Sequence, residues 1–157
     1  MAIDPATAAS ELQMNAEQLG EFMEAAFDRP FTWVIERNEF DGVRVRQPIG
    51  GTDLRPGGTV SGPTLMSLAD AISYMAVLAR IGPQALAVTT NMNINFLRRP
   101  KATDVVAEAT VLKMGRTLAL VEVTMYSDGG DPGDLDRPVA HAVVTYSMAL
   151  LQQGGDT

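Results

Sequence analysis

Residues 57–83, GGTVSGPTLMSLADAISYMAVLARIGP, decide how this chain folds. Pro63 stands where a first helical turn needs no backbone N–H, and Gly82-Pro83 supplies a stop, so the spacing predicts a helix over about 63–81. On a helical wheel Leu65, Leu68, Ala69, Ile72, Met75, Ala76 and Ala79 form one wide apolar stripe. Met66, Tyr74, Val77 and Leu78 occupy the opposite side. A helix apolar nearly all round is a buried helix, so the rest of the chain must wrap it. Asp70 is the only charge between Arg55 and Arg80. In apolar surroundings an unpaired carboxylate costs on the order of several kcal/mol. Read structurally, Asp70 caps a neighbouring segment or pairs with an arginine. Read functionally, it is a base or nucleophile kept in a half-buried site. The residues alone leave both open.

The wrapping is legible on either side. Segments 87–96, 103–113, 116–127 and 138–151 are rich in Val and Thr, with turns at Arg99-Pro100, Met114-Gly115 and 128–136. Long strands joined by short turns predict an antiparallel sheet. Two shorter strands are expected at 32–36 and 42–46, and a loop at 48–63. Near the start, Asn15 and Gln18 match a capping box, and Leu19, Phe22, Met23 and Ala26 follow at helical spacing. An amphipathic helix is therefore expected within 5–28, ended by Asp28-Arg29-Pro30. The expected class is α+β: a central helix wrapped by about five to six antiparallel strands. Residues 1–29 read as an N-terminal helical extension, 30–151 as the main domain and 152–157 as a disordered tail.

Composition narrows the chemistry. Hydrophobic residues make up 46% and charged residues 20% of 157, ordinary for a globular domain. There is no cysteine, which excludes disulfides, thiolate metal sites and a cysteine nucleophile. The single histidine, His141, rules out a multi-histidine metal site within one chain. Alternating with Val139 and Val143, it reads as a structural strand residue. Asp128, Asp131, Asp134 and Asp136 miss the calcium-loop spacing and read as a solvated loop, so no metal is expected. A net charge of -7 makes duplex nucleic acid a poor partner. The first residues carry no basic, then apolar, leader pattern. The most apolar window, 65–78, is interrupted by Ser67, Asp70 and Ser73. A cytoplasmic protein without membrane contact is expected.

The lead-in to the helix, Gly57-Gly58-Thr59-Val60-Ser61-Gly62-Pro63, is glycine-rich. Free N–H groups at a helix start attract negative charge, whether phosphate or the oxyanion of a tetrahedral intermediate. The phosphate-loop spacing Gly57 to Gly62 is present, but Pro63 replaces the required lysine, which excludes nucleoside triphosphate binding of that kind. Nor do Thr59 and Pro63 permit a nucleophile elbow around Ser61.

The run from Gly58 to Ala71 resembles the signature of hotdog thioesterases of the phenylacetate-pathway (PaaI-like) branch: Gly-Thr-x-His-Gly-Gly, six residues, then an aspartate. Segment 89–100, Thr-Thr-Asn-Met-Asn-Ile-Asn-Phe-Leu-Arg-Arg-Pro, and Lys113-Met114-Gly115-Arg116 are similar to the strand and hairpin that follow it there. The resemblance covers roughly 30–151. It implies a hotdog fold and hydrolysis of an acyl-CoA thioester, with no cofactor beyond the coenzyme A of the substrate. Asp70 would be general base or nucleophile, the Gly62 N–H would polarise the carbonyl, and Thr89 would assist. The match at Thr89 needs a one-residue shift to keep Asn93 aligned. This chain departs at Ser61 (family histidine), Pro63 (second glycine) and Arg55 (a water-orienting Asn); Ser61 can still supply a hydroxyl.

Gly62 and Asp70 are eight residues apart, about 12 Å along one helix. They cannot reach one carbonyl from the same chain. If both act, Gly62 of one copy meets Asp70 of another, and a homodimer or dimer of dimers is expected. On strand 89–95, Asn91, Asn93 and Asn95 alternate with Met92, Ile94 and Phe96; the Asn face is expected at a subunit contact or in solvent. Arg98, Arg99, Lys101 and Arg116 are candidates to hold coenzyme A phosphates, read as a strand end beside a nearby hairpin. A non-catalytic acyl-CoA or ligand-binding hotdog protein is the alternative, motivated by the three departures. A hydratase is a third reading, for which His141 is poorly placed.

Overall fold

The computed structural model describes residues 11–148. The expected tail at 152–157 and the first part of the expected N-terminal helix lie outside them.

Helix α1 (Ala16–Phe27) starts where the capping box dictates. The Asn15 side chain accepts from Gln18 N at 2.8 Å, and the Gln18 side chain accepts from Asn15 N at 2.9 Å. Asp28, at φ 49, ends it in the left-handed conformation, just before Pro30. Leu19 and Met23 turn inward and join the main core. Strands β1 (Val34–Glu39) and β2 (Gly42–Gln47) then form a hairpin.

The expected loop at 48–63 contains a short 3-10 turn and a two-stranded ribbon, β3 (Leu54–Arg55) with β4 (Thr59–Val60). Its turn uses Gly57 and Gly58 at φ 100 and 75, where a side chain would be strained.

The ribbon delivers the chain into α2 (Gly62–Ile81), closed by Gly82. Residues 72–79 of α2 are all buried. Ser73, the polar one among them, donates to the Ala69 carbonyl at 2.8 Å, which satisfies its hydroxyl at no cost to the core.

Strands β5 (Val88–Phe96), β6 (Asp104–Met114), β7 (Leu118–Asp128) and β8 (Ala140–Ser147) complete a six-stranded sheet in the order β1-β2-β6-β7-β8-β5, antiparallel throughout. Burial alternates along β6, β7 and β8. Val105, Ala107, Val121, Val123, Ala142 and Val144 face α2. The alanines let the helix settle close to the sheet. A long helix enclosed by one curved antiparallel sheet is the hotdog arrangement.

Two consequences position the site. Because α2 intervenes between β2 and β5, the next strand pairs with β8 at the far edge rather than with β2. Strand β5 is exposed along most of its length, with only Met92 and Ile94 partly covered by the core. On the outer face at the other end, Arg44 and Arg46 bridge Glu36, Glu108, Asp104 and Asp128.

Candidate active site

Asp70 stands where α2 passes from exposed to enclosed. Met66 and Ser67 are exposed one turn earlier, Ile72 onward is buried, and Asp70 is half-buried. It lines a groove of about 510 Å³ between α2, α1 and residues 29–33. Its walls mix aromatic and polar side chains: Phe31 packs on Trp33 with centroids 5.8 Å apart, Phe27 meets Tyr74 edge-on at 6.3 Å, and Gln47, Asp53, Ser61 and Ser67 also line it.

Among the described residues Asp70 makes no ion pair and caps no neighbouring segment. Its carboxylate is held by hydroxyls instead. Thr89 Oγ1 donates to Oδ1, and the Tyr146 hydroxyl reaches the same oxygen at 2.7 Å and the Asp70 carbonyl at 2.8 Å. Tyr146 is buried and stacks on Tyr74 at 5.9 Å. Burial pushes its hydroxyl well above the ordinary tyrosine range, and the facing Asp70 charge adds to this. It therefore stays protonated, a donor, at any working pH.

Thr89 reaches Asp70 because β5 is bulged. Met92 pairs with Val144 and Asn91 with Thr145, but Thr89 rather than Thr90 pairs with Tyr146. The extra residue, Thr90, turns aside, and its hydroxyl donates to the Thr145 carbonyl at 3.3 Å. Bulges re-aim side chains in this way. Here the bulge supplies a physical one-residue shift of the kind the match at Asn93 required.

At the start of α2, Ser61 is the N-cap. Its Oγ accepts from Thr64 N at 3.2 Å and donates to Thr64 Oγ1 at 2.9 Å, and its carbonyl accepts from Leu65 N at 3.2 Å. Its hydroxyl thus caps the helix, and Ser61 lines the groove of Asp70. Pro63 has no N–H. That leaves Gly62 with the one first-turn N–H that has no acceptor among the described residues, at the positive end of a 20-residue helix. Gly62 does not open into the Asp70 groove. It lines a second groove, of about 450 Å³, with Arg55, Phe96, Arg98 and Arg99.

The expected basic cluster divides. Arg98 and Arg99 border the Gly62 groove. Lys101 is instead held by Asp131 at 3.0 Å and Asp134 at 2.8 Å, in the loop between β7 and β8. Arg116 belongs to the β6–β7 turn, at the opposite end of β6. An 11-residue strand spans roughly 33 Å, so this hairpin is not near Arg98 within one chain. The sequence reading placed it nearby although the expected strand 103–113, which lies between the two, already separates them by its length.

Two contributors were missed. Arg55 figured only as a departure from a motif, yet it faces the same groove as Arg98. Tyr146 alternates with Val144 and Ala142 and so reads as core; nothing in that period signals where its hydroxyl points. His141 lies on the outer face, 3.1 Å from Glu122, and borders neither groove. No group of acidic and histidine side chains among the described residues could hold a metal ion.

The chain matches the model of the thioesterase superfamily over residues 57–133. It is similar to the solved structure of a candidate thioesterase from Silicibacter sp., at 36% identity over 88% of this chain and 94% of that one, with a TM-score of 0.77. The zebrafish thioesterase superfamily member 2 shares 22% identity over 87% of this chain and 99% of its own, with a TM-score of 0.74. A mutant thioesterase from Pseudomonas aeruginosa shares 20% over 88% and 96%, with a TM-score of 0.71. The last two are similar in fold. No curated protein matches the chain.

Proposed function

The chain belongs to the thioesterase superfamily, and from that membership and the geometry of Asp70 we propose that it hydrolyses acyl-CoA thioesters at a site shared between two copies. The observation that carries this reading is Asp70: a half-buried carboxylate on a mostly apolar helix, without an ion pair among the described residues, hydrogen-bonded by Thr89 and Tyr146 and open to a groove. The PaaI-like branch of the family fits the motif spacing.

In the proposed reaction Asp70 activates water or attacks the carbonyl carbon itself. In the first course the water oxygen bonds to that carbon and its proton passes to Asp70. The C–S bond then breaks and the thiolate leaves with the proton. In the second, an Asp70 oxygen bonds to the carbon, the thiolate leaves, and water cleaves the resulting anhydride. The Gly62 N–H of a second copy, backed by the α2 dipole, stabilises the oxyanion. Its lack of an internal acceptor supports this, as does its placement in the groove that Asp70 does not reach. The exposed edge of β5, with Val88, Phe96 and Leu97 about half exposed, is the surface we assign to the second copy. Arg98 and Arg99, with Arg55, are assigned to coenzyme A phosphates.

The test is thiol release over a panel of aryl and aliphatic acyl-CoAs, wild type beside Asp70→Asn. Loss of turnover with an unchanged melting temperature is expected. Undiminished turnover by Asp70→Asn refutes the assignment. Tight acyl-CoA binding by a wild type that releases no thiol makes the chain a binding protein instead.

A further inference from the structure

We propose that Tyr146 is a positioning residue: it holds Oδ1 of Asp70 and leaves Oδ2 as the only oxygen able to react. The inference rests on the reading of Asp70 as the reacting carboxylate and deepens it.

Two hydroxyls converge on Oδ1, from Thr89 on β5 and from Tyr146 on β8. A carboxylate oxygen accepts two hydrogen bonds comfortably, so Oδ1 is saturated. Oδ2 has no hydrogen-bond partner among the described residues, although Asp70 lines the groove. Tyr146 has one proton and two acceptors within reach, Oδ1 at 2.7 Å and the Asp70 carbonyl at 2.8 Å. That carbonyl already serves the helical ladder, and the charged carboxylate is the stronger acceptor. The proton therefore goes to Oδ1.

The support behind Tyr146 is rigid. It is 3% exposed, stacks on Tyr74 at 11° between ring planes, and lies beside the bulge that aims Thr89. Two hydrogen bonds to one oxygen restrict the rotation of the carboxylate. The free oxygen keeps one direction, as near-attack geometry requires.

Tyr146→Phe keeps the ring and its stack on Tyr74 and deletes only the hydroxyl. On the best acyl-CoA of the panel, kcat is expected to fall on the order of tenfold, with KM changed by less than about twofold. A hydroxyl that served packing alone would lower the melting temperature and spare kcat. A second readout needs no turnover. The chain has three tyrosines, at 74, 126 and 146, so ring-carbon labelling beside the hydroxyl yields three resolvable NMR signals. The signal that vanishes in Tyr146→Phe is expected to move in Asp70→Asn, while that of Tyr126 stays.

Wild-type kcat in Tyr146→Phe overturns the proposal. So does a Tyr146 signal indifferent to Asp70→Asn. A wild type that hydrolyses no acyl-CoA but shows the moved signal refutes hydrolysis and leaves the anchoring of Oδ1 standing.

Discussion

If the oxyanion donor and the carboxylate belong to different subunits, two inactive variants should restore each other. Asp70→Asn removes the carboxylate. Gly62→Pro removes the N–H; it also adds a Cβ directly ahead of Pro63, which disfavours the helical backbone at 62, so its melting temperature is compared with wild type. Ser61, at φ -71 and ψ 152, already has the extended backbone a residue before proline must adopt. The first turn of a helix tolerates proline. A Cβ at residue 62 meets the Phe96 ring at 3.5 Å, an ordinary contact. Loss of one oxyanion donor lowers kcat by roughly 10²–10³. When the two variants are unfolded together and reassociated, about half the dimers are mixed. Each mixed dimer has one site with both groups intact and one with neither, so about one quarter of wild-type activity returns. Either variant alone stays below roughly one hundredth, so the gain on mixing is some twenty-five-fold or more. Thiol release on the mixture measures it, and native mass spectrometry confirms that mixed dimers formed. If they form and activity stays at the average of the two variants, Gly62 and Asp70 do not share a site across subunits.

Other outcomes follow from single groups. Gly42→Ala puts a Cβ onto the Ala109 carbonyl oxygen in the β2–β6 seam, where neither backbone can yield without parting the strands; a loss of about 3 kcal/mol or more is expected, read as a lower urea midpoint, and a wild-type midpoint contradicts this packing. Arg98→Ala with Arg99→Ala is expected to raise KM for acyl-CoA while sparing an acyl-pantetheine substrate that lacks the nucleotide phosphates; equal effects on both remove the phosphate assignment. Lys101 holds the Asp134 carboxyl below its ordinary range, as Arg46 does Asp128. A depressed carboxylate contributes stability at neutral pH that is lost as pH falls through its folded value, starting below about pH 4. The destabilisation caused by Lys101→Met is therefore expected to be larger at pH 7 than at pH 3, by urea midpoints, and a larger effect at pH 3 contradicts that sign.

What the sequence determined by itself is whatever depends on local period and local caps. Residues 62–81 are apolar nearly all round, so the helix must be buried, and the strand-rich segments around it supply the cover. The alternation in 104–114, 118–128 and 140–147 states which face of that sheet is covered. Asn15 and Gln18 place the start of α1 because a capping box is made within four residues. Asp70 stood out for the same local reason, as a lone charge in a greasy run.

Only the tertiary structure decided what surrounds that charge. Tyr146 lies 76 positions away and reaches it because β8 passes under α2; in sequence it is one more inward residue of an alternating strand. Thr89 rather than Thr90 faces Asp70 because of a bulge, and a bulge belongs to the pairing of two strands, not to either one. Arg98 and Arg116, read as neighbours, stand at opposite ends of β6, which the length of the expected strand between them already implied. The physical reason is common to Tyr146 and Thr89. Periodicity specifies the face a side chain takes on its own element, but where that face arrives is set by pairing between segments far apart in the chain.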